Sequence, residues 1–148
     1  MALKTGSKAP NFKLKGTSDL NFELKNNLPC IIYFYPKDFT SGCTAEACSF
    51  RDGFEELRDL DISVFGISRD SLESHEKFKS KHQLPFELLS DTKGNVCKAY
   101  DALIPIVKMP KRITYLIDKE GKIKASYNDM FNGKSHLKQM IAEVQSNK

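Results

Sequence analysis

The sequence predicts a three-layer α/β sandwich around a central mixed β-sheet. Three observations carry that reading. Two apolar runs, Ile31-Ile32-Tyr33-Phe34-Tyr35 and Ile62-Ser63-Val64-Phe65-Gly66-Ile67, read as buried strands, and each precedes a stretch of helical character. A hairpin pattern follows around Asp118-Lys119-Glu120-Gly121. The chain then closes on a helical pattern. Strands alternating with helices make parallel crossover units, and the terminal hairpin makes the sheet mixed. In such sheets ligands bind in loops beyond the C-terminal ends of the parallel strands.

The elements follow in order. Residues 1–28 read as an N-terminal segment holding a β-hairpin. Phe12 and Leu14 alternate with polar neighbours, as do Phe22 and Leu24, and Gly16-Thr17-Ser18-Asp19 forms the turn. A strand over 30–35 stops at Pro36. Thr40, Ser41 and Gly42 supply turn and capping chemistry before a helix over about 43–59, with Ala47, Phe50, Phe54 and Leu57 on one face. A second strand covers 61–68. Asp70, three residues before Glu73, predicts a capping box for a helix running to His82. Residues 84–89 read as a short strand that Pro85 places at a sheet edge. A short helix over 96–100, a proline-bearing loop over 104–110, a strand over 113–117 and a return strand over 122–127 come next. The last helix starts near Ser135 and buries Leu137, Met140, Ile141 and Val144. No repeat, low-complexity tract or linker appears, so the expectation is one domain over residues 1–148.

Composition narrows the function. With 40% hydrophobic and 28% charged residues the chain is neither disordered nor membrane-like. Its +4 net charge arises from well-mixed acidic and basic residues, which gives no reason to invoke nucleic acid. The densest basic cluster, over 77–81, reads as the solvated face of a helix. No apolar run approaches the roughly 20 residues that cross a bilayer, and the first residues show no signal-peptide core. The expected compartment is therefore the cytoplasm. There, four cysteines are read as catalytic, ligating or buried rather than as a disulfide framework.

The cysteines differ in context. Cys30 lies inside a buried strand and Cys97 on a short helix, and both read as small buried hydrophobes. Cys43 follows turn residues, opens a helix and has no apolar neighbours pressing it inward. A helix N-terminus favours the thiolate form of a cysteine. The Cys43-x-x-x-x-Cys48 spacing is wrong for structural zinc and too long for a Cys-x-x-Cys redox pair. No histidine neighbours either cysteine in sequence, so no metal or cofactor is expected. A Cys/His acyl-transfer site would have to recruit His82 or His136 through the fold. On an intact helix, residues five apart are about 8.5 Å distant and point about 140° apart. A disulfide needs Cα atoms within about 7 Å, so these two cysteines pair only if the first turns unwind.

Pro36-x-x-x-Thr40-x-x-Cys43 matches the active-site signature of the peroxiredoxins. The longer run from Tyr33 through Cys48, with Phe50-Arg51-Asp52, resembles the bacterioferritin comigratory protein or peroxiredoxin Q subfamily. So do Ala9-Pro10-x-Phe12 and Arg112-Ile113-Thr114-Tyr115-Leu116-Ile117-Asp118, and the similarity covers essentially the whole chain. The resemblance implies a thioredoxin-like form of the sandwich and a thiol-dependent peroxidase acting on hydroperoxides. Cys43 matches the peroxidatic cysteine, which becomes a sulfenic acid. Thr40 matches the hydroxyl that bonds thiolate and peroxide. Arg112 matches the guanidinium that favours the thiolate and stabilises the departing oxygen. Pro36 matches a ring shielding the thiolate, and Glu46 a residue buttressing the arginine. Cys48 matches the resolving cysteine, whose disulfide with Cys43 thioredoxin or a related dithiol reduces. A monomer or weak dimer is implied. Ser41 stands where the subfamily usually has proline, and Cys30 and Cys97 are additional thiols. Two other readings stay open on the residues: a thiol–disulfide oxidoreductase of the same fold, and a binding domain that kept the fold without the chemistry.

Overall fold

All strands among the described residues join one seven-stranded mixed sheet in the computed structural model. It describes residues 3–128 and 134–146, apart from the side chains of Lys134, Leu137, Gln145 and Ser146. The strands are β1 (Lys13–Gly16), β2 (Asn21–Glu23), β3 (Cys30–Phe34), β4 (Ser63–Ser68), β5 (Glu87–Ser90), β6 (Ile113–Ile117) and β7 (Ile123–Asn128). The helices are α1 (Ser41–Asp52), α2 (Phe54–Asp59), α3 (Leu72–His82), α4 (Asn95–Ala99) and α5 (Lys134–Ser146), and a 3-10 turn covers Leu24–Asn26. The strand order is β2-β1-β5-β4-β3-β6-β7. β3, β4 and β5 run parallel through their crossover helices, while β6 lies antiparallel to β3.

β3 and β6 are buried at every position, as their predominantly apolar runs require for central strands covered on both faces, with Thr114 a buried polar residue in β6. One face packs Ala47 and Phe50 of α1, Leu57 of α2, Phe78 of α3 and Met140 of α5 against Ile31, Tyr33 and Leu116. The other packs Val96 and Cys97 of α4 with Phe22 and Leu24 of the N-terminal segment against Ile32, Phe34 and Tyr115. The three-layer sandwich predicted from the element pattern is the observed architecture.

Several local expectations are corrected. The helix expected at 43–59 begins at Ser41 and breaks at Gly53, so it is two helices. The cap of α3 is Ser71, whose hydroxyl accepts the Ser74 N–H; Asp70 is drawn away to bond the Asp38 N–H and the Ser68 hydroxyl. The strand at 84–89 is not an edge. β5 starts at Glu87, beyond Pro85, and pairs on both sides with β1 and β4. The solvated face expected over 77–81 does not extend to His75, which is on the same helix and is fully buried. In α5, Met140 is buried and Ile141 and Val144 are half-buried, while the side chain of Leu137 lies outside the described residues.

Tyr33, Gly66 and Leu88 are side by side on β3, β4 and β5. A Cβ at position 66 would lie 2.7 Å from Tyr33 Cζ and 2.8 Å from Leu88 Cδ2. Glycine is what lets the Tyr33 ring lie flat and stack on Phe50, at 4.7 Å and 14°, fixing α1 over β3. Gly66→Ala is therefore expected to destabilise the fold by about 1–3 kcal/mol through overpacking, read as a lower urea midpoint at unchanged slope.

Candidate active site

The buried strand β3 delivers the chain to a loop over 36–40, and α1 starts immediately beyond it. That loop is anchored from below. Asp38 is buried, and its carboxylate accepts from the Tyr35 hydroxyl at 2.6 Å and the Ser74 hydroxyl at 2.8 Å. His75 Nδ1 lies 2.7 Å from Asp38 Oδ2, and its Nε2 donates to Leu89 O at 3.0 Å. A carbonyl can only accept, so Nε2 carries a proton, and a second proton lies between Nδ1 and the carboxylate. The Asp38 N–H donates to Asp70 at 3.0 Å. The ligand atoms of Asp38, Asp70 and His75 lie within 4.8 Å of one another, the spacing of a metal cluster. Their lone pairs and protons are spent on each other and on Tyr35, Ser68 and Ser74, so the group serves as a polar staple under the loop.

Cys43 sits in the first turn of α1, where backbone N–H groups lack intrahelical partners. Its sulfur accepts from Arg112 Nη2 at 3.2 Å, and Arg112 Nη1 donates to Glu46 Oε1 at 2.7 Å. The antiparallel register of β6 on β3 sets Ile113 opposite Phe34, which brings Arg112 to the strand end where α1 begins. Gly42 makes room: a Cβ there would lie 3.1 Å from Arg112 Nη2. All three side chains are buried. Burial works against the guanidinium charge, but Glu46 and the Cys43 sulfur beside it more than offset that and hold its pKa above the ordinary value. Burial pushes the Glu46 carboxyl up to about 8 against the lowering pull of Arg112. Glu46 Oε2 makes no hydrogen bond and lies 3.4 Å from Nδ1 of the buried His136, which is 2.6 Å from Thr114 Oγ1.

The structure thus brings Cys43, Glu46 and Arg112 into direct contact. Cys43 is 1% exposed and packs with the apolar cluster under α1, which corrects the expectation that nothing apolar presses it inward. It is one turn before Ala47 and two before Phe50, in phase with the core face. The Thr40 hydroxyl donates to Lys37 O at 2.9 Å, closing the turn before the helix, and makes no hydrogen bond to Cys43. Pro36 is half-buried and lines a groove with Lys37, Arg69 and Met109. Ser41 is the first residue of α1, a position where proline and serine both fit. Cys48 is half-buried and lines a groove of about 940 Å³ with Phe39, Ser41, Thr44, Lys81 and His82. All four cysteines are free thiols. Cys30 packs on the opposite face of the sheet from Cys43, and burial pushes its thiol up to about 12. Burial, then Asp91, pushes the Cys97 thiol up as well. Neither has the environment of a reactive sulfur.

Sequence reasoning missed the Asp38–His75 staple, the buried His136, and the Tyr33 hydroxyl, which is buried without a hydrogen-bond partner. His75 is 37 residues from Asp38 and His136 is 22 from Thr114, and only the unusual aspartate after a strand-ending proline offered a local hint.

A buried thiol at a helix N-terminus under a guanidinium, on a mixed sheet of this order, defines a thioredoxin-like fold with a cysteine redox site. Residues 5–126 match the AhpC/TSA family. The chain is 42% identical over 135 residues to peroxiredoxin Bcp of Bacillus subtilis, covering 83% of each. It is 39% identical over 144 residues to the chloroplastic peroxiredoxin Q of Oryza sativa subsp. japonica, covering 95% of this chain and 66% of the rice protein. The crystal structure of peroxidoxin BcpB from Mycobacterium tuberculosis matches with a TM-score of 0.93 and 30% identity over 99% of both chains. The chain belongs to the AhpC/TSA family, within its Bcp and peroxiredoxin Q branch.

Two outcomes are expected. Asp38→Ala strands the buried Tyr35 hydroxyl and His75 ring and the half-buried Ser74 hydroxyl and costs about 3 kcal/mol or more, read by urea denaturation. Glu46 has its folded-state value raised from the ordinary 4.5 to about 8. Its contribution to stability is complete below about 4.5 and lost as pH rises through about 8. Wild type should accordingly lose stability relative to Glu46→Gln between pH 5 and 9, with the difference measured by denaturation at each pH.

Proposed function

We propose that this chain is a thiol peroxidase that reduces hydroperoxides through Cys43 and is recycled through Cys48. The observation that carries the reading is the Arg112 guanidinium donating to the Cys43 sulfur at 3.2 Å in the first turn of α1. A fixed cation against the sulfur favours its anionic form and is placed where charge develops as an O–O bond breaks. The Cys43 thiolate attacks the terminal peroxide oxygen, the O–O bond breaks, and the leaving oxygen takes a proton to become water or an alcohol. Cys43 is left as a sulfenic acid. Glu46 orients Arg112, and the family resemblance assigns the Thr40 hydroxyl to bonding the peroxide and Pro36 to shielding the thiolate.

Cys48 then attacks that sulfur and water leaves. Both cysteines are on α1, where the separation is too great for a disulfide, so the first turns must open. Two features favour opening there: Thr40 gives no side-chain cap, and the first turn has no acidic residue. Thioredoxin or a related dithiol reduces the bridge. The chain acts as one domain over residues 1–148, as a monomer or weak dimer in the cytoplasm. No helix among the described residues is long and apolar enough to cross a membrane.

The test is hydrogen peroxide consumption with thioredoxin, thioredoxin reductase and NADPH. Wild type should cycle. Cys43→Ser should be inactive, Cys48→Ser should complete one turnover and stall, and Arg112→Ala should slow the first step about 10²-fold. Peroxide that fails to oxidise Cys43 would sink the reading.

A further inference from the structure

We propose that His82 is the base that takes the Cys48 thiol proton when Cys48 closes on the oxidised Cys43. The inference rests on the reading of Cys48 as the resolving cysteine and adds the group that activates it.

His82 Nδ1 lies 3.9 Å from Cys48 Sγ, within reach of an S–H···N hydrogen bond. The two residues are 34 apart in sequence and meet because α3 ends against the middle of α1. The imidazole is held from two sides. Its ring packs edge-on against Phe78 at 5.1 Å, and its backbone carbonyl accepts from Arg51 Nη1 at 2.8 Å. Arg51 is three residues beyond Cys48, on the next turn of α1. The clamp therefore lies on the part of α1 that stays folded when the first turns open, so the base remains with Cys48 as Cys43 approaches. The groove of about 940 Å³ that Cys48 and His82 share is also lined by Ser41 and Thr44, which flank Cys43. The other histidines are committed elsewhere: His75 to Asp38 and Leu89 O, and His136 to Thr114.

The step balances without an outside reagent. Cys48 gives its proton to His82 Nδ1, and the sulfur lone pair attacks the Cys43 sulfenyl sulfur. The S–S bond forms, the S–O bond breaks, and the departing hydroxide takes the proton back to leave as water. Cys48 is oxidised and the Cys43 sulfur reduced by the same electron pair. The assistance matters because an unassisted thiol is only a few per cent thiolate near neutrality. The charged groups around the pair are Arg51 and Asp52 on α1 and Lys81 on α3.

The test mixes reduced protein with one equivalent of hydrogen peroxide and follows sulfenic acid and disulfide by rapid quench and mass spectrometry. His82→Ala is expected to slow disulfide formation relative to sulfenic acid formation by about tenfold at neutral pH. Imidazole added to the buffer should restore it, and the deficit should close as pH rises and solvent deprotonates the thiol. His82→Gln, which retains a side chain against Phe78, should show the same deficit. Equal disulfide rates in wild type and both variants would overturn the assignment. So would a deficit that is constant with pH and blind to imidazole, which marks a structural role. A Cys48→Ser protein that still forms an internal disulfide would instead overturn the resolving role itself, whatever the His82 variants show.

Discussion

A guanidinium buried against a thiol is the constraint around which the rest of this molecule is arranged. Arg112 reaches Cys43 only because β6 pairs antiparallel with β3 in a register that ends both at the same level, and because α1 begins there with a glycine at position 42. A charge so placed is costly unless it is paired and bonded. Glu46, one turn along α1, supplies the partner, and its own burial raises the cost of its charge. The three groups share a limited amount of charge: moving negative charge onto the sulfur relieves the need for it on Glu46. A carboxyl that titrates near neutrality suits that exchange better than one fixed as an anion.

In the proposed cycle the loop that carries α1 stays rigid while the helix it starts opens. These demands are met by different groups. Rigidity comes from Asp38, which gathers Tyr35, Ser74 and His75 beneath the loop and ties it through Asp70 to the end of β4. Openness comes from the absence of a side-chain cap at Thr40, whose hydroxyl turns back to Lys37 O. The staple ends before the helix begins, so the first turn of α1 is held by its own backbone hydrogen bonds and by what Cys43 touches.

The layer order and the strand–helix alternation were legible because central strands need unbroken apolar runs and packed helices need a periodic face. The site was legible where its residues are close in sequence. Cys43, Ala47 and Phe50 share the phase of the core face, and Cys48 falls outside it, so the buried and grooved positions of the two cysteines were already written in the spacing. The inward packing of Cys43 was misread because its preceding turn residues were weighed above that phase. Contacts made by the fold were not legible. Asp38 and His75 are 37 residues apart, and Cys48 and His82 are 34 apart. Arg112 could be reached only through family resemblance. Pro85 misled because a proline stops a strand as readily as it edges one, and here the strand starts two residues later.

Chemistry and unwinding are coupled through one atom in the proposed cycle. As a thiolate, the Cys43 sulfur is attracted to Arg112 and holds the first turn of α1 down. As a sulfenic acid it is neutral and carries one more heavy atom in a site that is 1% exposed and closed by Arg112 lying 3.1 Å from where a Cβ on Gly42 would sit. Oxidation therefore removes an ion pair and adds volume in the same event. Each loosens the turn, by about 1 kcal/mol or more where a charged hydrogen bond is lost and an overpacked core must give. Cys48 sits beyond that turn, on the groove side of the same helix, and is not released with Cys43. The five-residue spacing, too long for a bridge while α1 is intact, thus keeps the two thiols apart until peroxide has changed the charge on one of them.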